Sequence, residues 1–323
     1  RESKIVLGNS GVVRVLKPGP DSKGLREGDI CLPIGTHLTD RYGYMTHAHA
    51  YDAPGTMGLL AKRSKWPGRS LLPIPKDSGY SLPQWAAFNL RYPTAWSNHR
   101  LAYGSWRLQV TEAQFAEGFP VLAWGGGVSF AQLTLARMKD AARGILIASS
   151  PVRRELAARA GLETIDRSSY PDLAFQAARY EADPAYAARY RDSEKRFVQE
   201  VHARTDGLGA AIFIDNIGAP VFRATLKALA REGVVTTCGW KHGMRLELLR
   251  AVECITRHTF IHTHYANRQE VEDSVRFACE RGWMVPADAI GAIWEWPDIG
   301  KLAESHLTGA IESYFPIYRI NPE

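Results

Sequence analysis

The segment Val121-Leu122-Ala123-Trp124-Gly125-Gly126-Gly127-Val128-Ser129-Phe130 joins an apolar run to three glycines and then to a helical pattern. A run with no polar face reads as a strand buried on both sides, and such strands belong to parallel sheets covered by helices. The alternation then continues through helix Ser129–Ala142, strand Gly144–Ala148, helix Pro151–Ala160 and strand Glu163–Ile165. After a long charged helical segment, Asp183–Thr205, come strand Ala211–Ile214, helix Val221–Arg231 and strand Val234–Cys238. This pattern predicts an α/β fold with a doubly wound parallel sheet.

The first hundred residues have another texture. Short β-type runs (Ile5–Leu7, Val12–Leu16, Ile30–Pro33) are separated by Gly, Pro and Asp turns, which is all-β barrel material. Helical spacing appears at Pro83–Leu90 and Ala95–Tyr103. Past Arg268 the chain predicts helix Glu270–Arg281, β-like Ala292–Trp296, helix Ile299–Thr308 and strand Tyr314–Ile320. At 323 residues, two domains are expected. We place a β domain at 1–92, a dinucleotide-binding domain at 93–265 and a return to the first domain at 266–323.

Charge and cysteine usage narrow the function. The net charge of +6 includes no run of five basic residues, which fits a phosphate-bearing ligand and argues against nucleic acid. No apolar stretch approaches a membrane span, and the charged Arg1–Lys4 carries no signal-peptide pattern. The four cysteines (Cys31, Cys238, Cys254, Cys279) are scattered, so they read as buried thiols of a reducing cytoplasm. A cytoplasmic protein follows as the expectation.

A strand running through glycines into a helix is what a dinucleotide pyrophosphate requires. Glycine permits the tight turn, and the helix N-terminus offers N–H groups and a positive dipole end. Gly125 and Gly127 take the first two places of G-x-G-x-x-G, with Gly126 and Val128 beside them, while Phe130 stands in the third. The same residues also suit a plain strand–helix turn. The next strand ends in Ser149 and Ser150, followed by Arg153 and Arg154, where an NAD site would carry an acid for the ribose 2′-OH. Hydroxyls and guanidiniums there suit the 2′-phosphate of NADP; otherwise the two arginines form a solvated helix face.

Six collinear segments resemble the medium-chain dehydrogenase/reductase superfamily. They are Gly8-Asn9-Ser10-Gly11-Val12-Val13, Gly28-Asp29, Gly55-Thr56, Leu72-Pro73-Ile74-Pro75, Pro93-Thr94-Ala95-Trp96 and Asp215-Asn216-Ile217-Gly218. Within it, Ile261-His262-Thr263-His264-Tyr265-Ala266-Asn267 and the charged helical insertion are similar to crotonyl-CoA carboxylase/reductases and related enoyl-thioester reductases. The resemblance implies a GroES-like barrel domain, a Rossmann domain, NADP as cofactor and a homodimer. It places Thr94, Asn216, Gly239, Lys241 and His264 near the cofactor, Lys241 being either a phosphate ligand or a solvated loop lysine. It also implies catalytic roles for Tyr51, Asp52 and His264, with Asp52 standing where the carboxylating enzymes carry a glutamate. Family barrels begin before Gly8, so this one is expected to be abbreviated or to have its first strands outside the numbered chain.

Asn9 and Ser10 occupy the places of the family's zinc-ligating His and following Glu, so no metal is expected. The pairs His47/His49 and His262/His264 would each share one face of a strand by alternation. The leading expectation is an NADPH-dependent, zinc-independent reductase of an α,β-unsaturated thioester or carbonyl. Its small-molecule substrate would be carried on CoA or a carrier protein. The alternatives are reductive carboxylation or alcohol/ketone redox, and a weakly nucleotide-binding interaction protein that Phe130 would favour.

Overall fold

Two stretches of chain contribute to one folded unit and the stretch between them forms another. The computed structural model describes residues 5–20, 22, 24–35, 38–139, 141–239, 241–243 and 245–322. One unit comprises Arg1–Trp96 with Tyr265–Glu323, and the other Ser97–His264.

In the first unit, β1 (Val13–Arg14), β2 (Ile30–Pro33), β3 (Leu38–Thr39), β4 (Met45–His47) and β5 (Leu71–Pro73) are short and antiparallel. They pair as β1-β2-β5 and β3-β4. The run Ile5–Leu7, expected as a strand, is not one, although Val6 and Leu7 accept bonds from the N–H groups of Gly58 and Leu60. Helix α1 (Leu82–Phe88) starts at a capping box, in which Ser81 and Gln84 each satisfy the other's backbone N–H. The first residues of α2 (Arg91–Arg107) follow, packing Tyr92 against Phe88 and Trp283. A second capping box, Asn267 with Glu270, opens the helix Arg268–Arg281.

The second unit takes the rest of α2, then α3 (Glu112–Ala116), β6 (Pro120–Trp124), α4 (Gly127–Met138), β7 (Arg143–Ala148), α5 (Pro151–Arg159) and β8 (Glu163–Asp166). The insertion folds as α6 (Ala177–Ala182) and α7 (Pro184–Arg204), ahead of β9 (Ala210–Ile214), α8 (Ala219–Lys227), β10 (Leu229–Thr237), α9 (Arg250–Thr256) and β11 (Thr259–His262). The six strands form one wholly parallel sheet in the order β8-β7-β6-β9-β10-β11. β6 and β9 are buried along their full length, as their unbroken apolar runs require. Helix α8 ends four residues before the predicted Arg231, because Leu229 already pairs with Ala210 and starts β10.

Sheet order reverses between β6 and β9, and the crevice beyond the carboxyl ends of such a pair is where open α/β sheets bind ligands. No helix among the described residues is long and apolar enough to cross a membrane.

Candidate cofactor site

Gly125 follows β6, and its N–H donates to Ile147 O at 2.8 Å. A Cβ on Gly125 would meet Ala148 Cβ and Ile147 O at 3.3 Å, so a side chain there would press on β7. Gly126 precedes α4 with no side-chain cap, and the first turn carries no acid. The leading N–H groups of this twelve-residue helix are thus available to an anion. Phe130, in the place of the third glycine, is fully buried in the packing of α4, with its N–H bonded to Gly126 O.

Asn216, just past β9, ties the neighbouring strand ends together. Its Nδ2 donates to Ser129 Oγ at 3.2 Å, and its Oδ1 accepts from Cys238 N at 3.0 Å and Thr237 Oγ1 at 3.3 Å. The turn 216–218 runs beside 241–243: Lys241 N donates to Asn216 O and His242 N to Ile217 O. Gly218 has φ +94°, and a Cβ on it would lie 2.6 Å from His242 O, so only glycine allows this approach. Lys241 itself is exposed, and Gly239 O accepts from Thr237 Oγ1.

Beneath this turn, Asp215 is buried. Its Oδ1 accepts from the N–H groups of Ile217 and Gly218, and its Oδ2 accepts from Thr225 Oγ1 at 2.8 Å. Burial lifts its carboxyl above the usual range, against the pull of those donors and of Arg167.

At the end of β7, Ser150 Oγ caps α5 by accepting from Arg153 N at 3.3 Å. Arg154 places Nη1 against Ser149 O at 2.9 Å, Ala148 O at 3.2 Å and Asp166 Oδ1 at 2.8 Å. Asp166 Oδ1 also accepts from Ser168 N and Oγ, and the Ser168 hydroxyl is the main cause holding this carboxyl below its usual range. Arg154 is therefore braced on protein oxygens and is not a loose, solvated arginine. Asp166 and Ser129 escaped the sequence reading. Asp166 lies beside Ala148 only through the β7–β8 register, and Ser129 reads as an ordinary helix residue until Asn216 meets it.

Asn98 of α2 is fully buried. It accepts from Thr236 Oγ1 at 2.8 Å and donates to Thr263 Oγ1 at 2.9 Å, linking β10 to the end of β11. His262 and His264 are both exposed.

The glycine turn, Val128, Ser149, Ser150, Arg153, Arg154, Asn216, Gly239 and Lys241 thus stand at the carboxyl ends of one sheet, whereas Tyr51, Asp52 and Thr94 belong to the other unit. There, the N–H groups of Tyr51, Asp52 and Ala53 all bond Ala48 O, and Asp52 Oδ1 accepts from Ala48 N at 2.6 Å. Asp52 closes this turn, which leaves Tyr51 exposed. Thr94 is buried, and its hydroxyl donates to Leu90 O at 2.5 Å.

Two expectations need correction. His47 and His49 do not share a strand face, because β4 ends at His47 and the chain turns; His47 is exposed and His49 is buried, stacked 3.7 Å from Trp66. Nor are all the cysteines buried: Cys31 is, Cys238 is half-buried, and Cys254 and Cys279 are exposed on the outer faces of their helices. Burial pushes the Cys31 and Cys238 thiols up to about 11 and 12, away from reactivity.

Asn9 and Ser10 present an amide and a hydroxyl, neither of them a usual zinc ligand. Ser10 Oγ donates to Asn89 O at 3.1 Å, and the described residues hold no grouping of three His, Cys, Asp or Glu suited to a metal.

No protein-family model matches the chain, and no curated protein matches it in sequence. Its fold matches several solved structures. An alcohol dehydrogenase from the hyperthermophilic archaeon Aeropyrum pernix is 21% identical with a TM-score of 0.72, over 97% of this chain and 82% of that one. A zinc-dependent alcohol dehydrogenase 2 from Streptococcus pneumonia, in apo form, is 19% identical with a TM-score of 0.74, over 100% and 85%. The crotonyl-CoA carboxylase/reductase AntE, in complex with NADP, is 18% identical with a TM-score of 0.71, over 90% and 71%. At these identities the likeness establishes the fold.

Proposed function

We propose that this chain is an NADPH-dependent oxidoreductase that reduces an α,β-unsaturated thioester or carbonyl without zinc. One observation carries the cofactor reading: an uncapped helix N-terminus after Gly125-Gly126 stands beside a strand end that presents Ser149, Ser150, Arg153 and Arg154 and no acid at that position. Backbone N–H groups of Gly127 and Val128 would hold the pyrophosphate, and the hydroxyls and guanidiniums the 2′-phosphate. Bound NADPH supplies a hydride. Asn216 keeps the turn 216–218 against α4, so that the crevice is shaped before any ligand arrives. Lys241, Gly239 and Thr94 complete the assignment on the cofactor side.

Proton delivery and stabilisation of the developing oxyanion fall to His264 and Tyr51, both of which are exposed and able to donate. Asp52 holds the turn that carries Tyr51. The donor set at Asn9 and Ser10 supports hydride transfer without zinc. Reduction of a ketone is the second reading, favoured by the likeness of fold to alcohol dehydrogenases. A cytoplasmic setting agrees with the redox chemistry.

A homodimer belongs to the same proposal. β11 is the last strand of the sheet, and Leu246, Leu248, Leu249, Val252 and Ile255, which precede it in the chain, are exposed. An unpaired sheet edge preceded by an exposed apolar stretch suits a second copy paired edge to edge. Ile255→Lys should then turn a dimer into a monomer by light scattering.

Thermal shift with NADPH and NADH tests the cofactor: stabilisation by NADPH is expected, and none by either cofactor sinks the enzyme reading. NADPH oxidation with crotonyl-CoA, with and without bicarbonate, and with a simple ketone then tests the substrate. Consumption with the ketone alone overturns the enoyl reduction.

A further inference from the structure

Arg154 is the fourth residue of α5, and the helix direction returns its side chain over the end of the strand it has just left. Its Nη1 alone meets three oxygens: Ser149 O at 2.9 Å, Ala148 O at 3.2 Å and Asp166 Oδ1 at 2.8 Å. Nε and Nη2 make no hydrogen bond to protein among the described residues. The guanidinium is thus fastened by one corner, with the opposite edge unused. A guanidinium edge binds phosphate through two parallel N–H bonds, and holding it still beforehand spares the entropy of ordering a long side chain.

Asp166 is placed for this task by the sheet. Register sets it directly beside Ala148, so its carboxylate stands next to the strand end that Arg154 caps. The same oxygen that meets Arg154 accepts from Ser168 N at 2.9 Å and Ser168 Oγ at 2.6 Å. Two hydrogen-bond donors and the Arg154 ion pair converge on Oδ1, which fixes the carboxylate and spreads its charge.

Resting on the reading that NADPH binds at this strand end, we infer that Asp166 is a positioning residue for cofactor choice, holding Arg154 so that its Nε–Nη2 edge meets the 2′-phosphate. It touches no cofactor itself. A carboxylate near a 2′-phosphate also repels it, and the two effects have opposite signs. The two Ser168 hydrogen bonds and the Arg154 ion pair on Oδ1 make positioning the larger one.

The test measures dissociation constants of NADPH and NADH, with adenosine 2′,5′-bisphosphate and 5′-AMP as isolated probes, for the wild type, Asp166→Asn, Arg154→Ala and the double variant. The expected result is a loss of about tenfold for NADPH and the bisphosphate in each single variant, with NADH and 5′-AMP unchanged. The double variant should be no worse than Arg154→Ala, because Asp166 acts through it. Equal loss for both cofactors, an unchanged ratio, or tighter NADPH binding in Asp166→Asn overturns the inference. A wild type that does not prefer NADPH overturns the underlying cofactor reading instead. Arg154→Lys, which keeps charge and fold but not the planar edge, should reproduce the loss; full retention of NADPH affinity there also overturns the inference.

Discussion

The indole N–H of Trp124 donates to Thr225 Oγ1 at 2.8 Å, and that hydroxyl donates in turn to Asp215 Oδ2 at 2.8 Å. The chain runs from the last residue of β6 to the acid under the turn 216–218, all within the buried interior. Arg167, whose guanidinium carbon lies 5.7 Å from the Trp124 ring centre, adds the compensating charge. The strand end that carries the glycine turn is therefore fastened by polar bonds as well as packing.

Removing the middle of this chain should cost more than removing its end. Thr225→Val leaves the Trp124 N–H and one Asp215 oxygen without these partners and should destabilise by about 2–3 kcal/mol. Trp124→Phe leaves Thr225 still bonded to Asp215 and should cost about half as much from lost hydrogen bonding, plus a packing loss. Urea unfolding of Thr225→Val beside Thr225→Ser, which keeps the hydroxyl, measures the effect, and a Thr225→Val no less stable than Thr225→Ser contradicts the network.

His99 should make the protein sensitive to acid. It is buried, neither ring nitrogen has a hydrogen-bond partner, and burial with help from Lys139 pushes its pKa down to about 3 from 6.5. The folded state keeps His99 neutral while the unfolded chain takes up the proton. Its contribution is complete above pH 6.5 and is lost as pH falls from there towards 3, at about 1.4 kcal/mol per unit. Between pH 7.5 and 5 the wild type should lose about 2 kcal/mol that His99→Phe does not. Equal slopes in the two proteins would count against it.

Gly218 and Gly125 should respond unequally to alanine. At Gly218 the backbone has φ +94° and the new Cβ would press into His242 O, so Gly218→Ala should displace the 241–243 segment and weaken NADPH binding along with stability. At Gly125 the contacts of 3.3 Å need a shift of only tenths of an ångström, and a milder loss is expected. Thermal shift with and without NADPH separates the two.

Glu232 sits in the irregularity of β10 with φ +65°, while its carboxylate pairs with Arg257 Nη1 at 2.6 Å and accepts from Gln114 Nε2 at 3.0 Å. Glu232→Ala loses the partners and keeps the strained backbone; Glu232→Gly loses the partners but relieves the strain. The glycine variant should be the more stable by about 1 kcal/mol in urea unfolding. The reverse order would show that the backbone there is unstrained.

Five of the six strands of the parallel sheet were legible, most plainly β6, β7 and β9, where burial on both faces writes itself locally as apolar runs such as Val121–Trp124, whereas β11 is only partly buried and was not predicted. The glycine turn was legible for a similar reason, since a side chain at Gly125 would crowd β7. Boundaries were less so. Arg231 reads as the end of a helix, yet it lies in β10, because pairing with β9 outweighs the helical pattern of its neighbours. The exposed Cys254 was misread because composition records what a residue tolerates, not which side of α9 faces the sheet.

The setting of the arginines is of another kind. That hydroxyls and guanidiniums follow β7 is a fact of the chain order, and with it the expectation of a phosphate. That Arg154 is anchored by Asp166, or that Asn216 reaches Ser129 across 87 residues, follows from which strands lie side by side. Sheet order is settled by non-local pairing, so no local pattern records it. Residue types announce the chemistry at the strand ends, and the neighbours that aim them exist only once the sheet has formed.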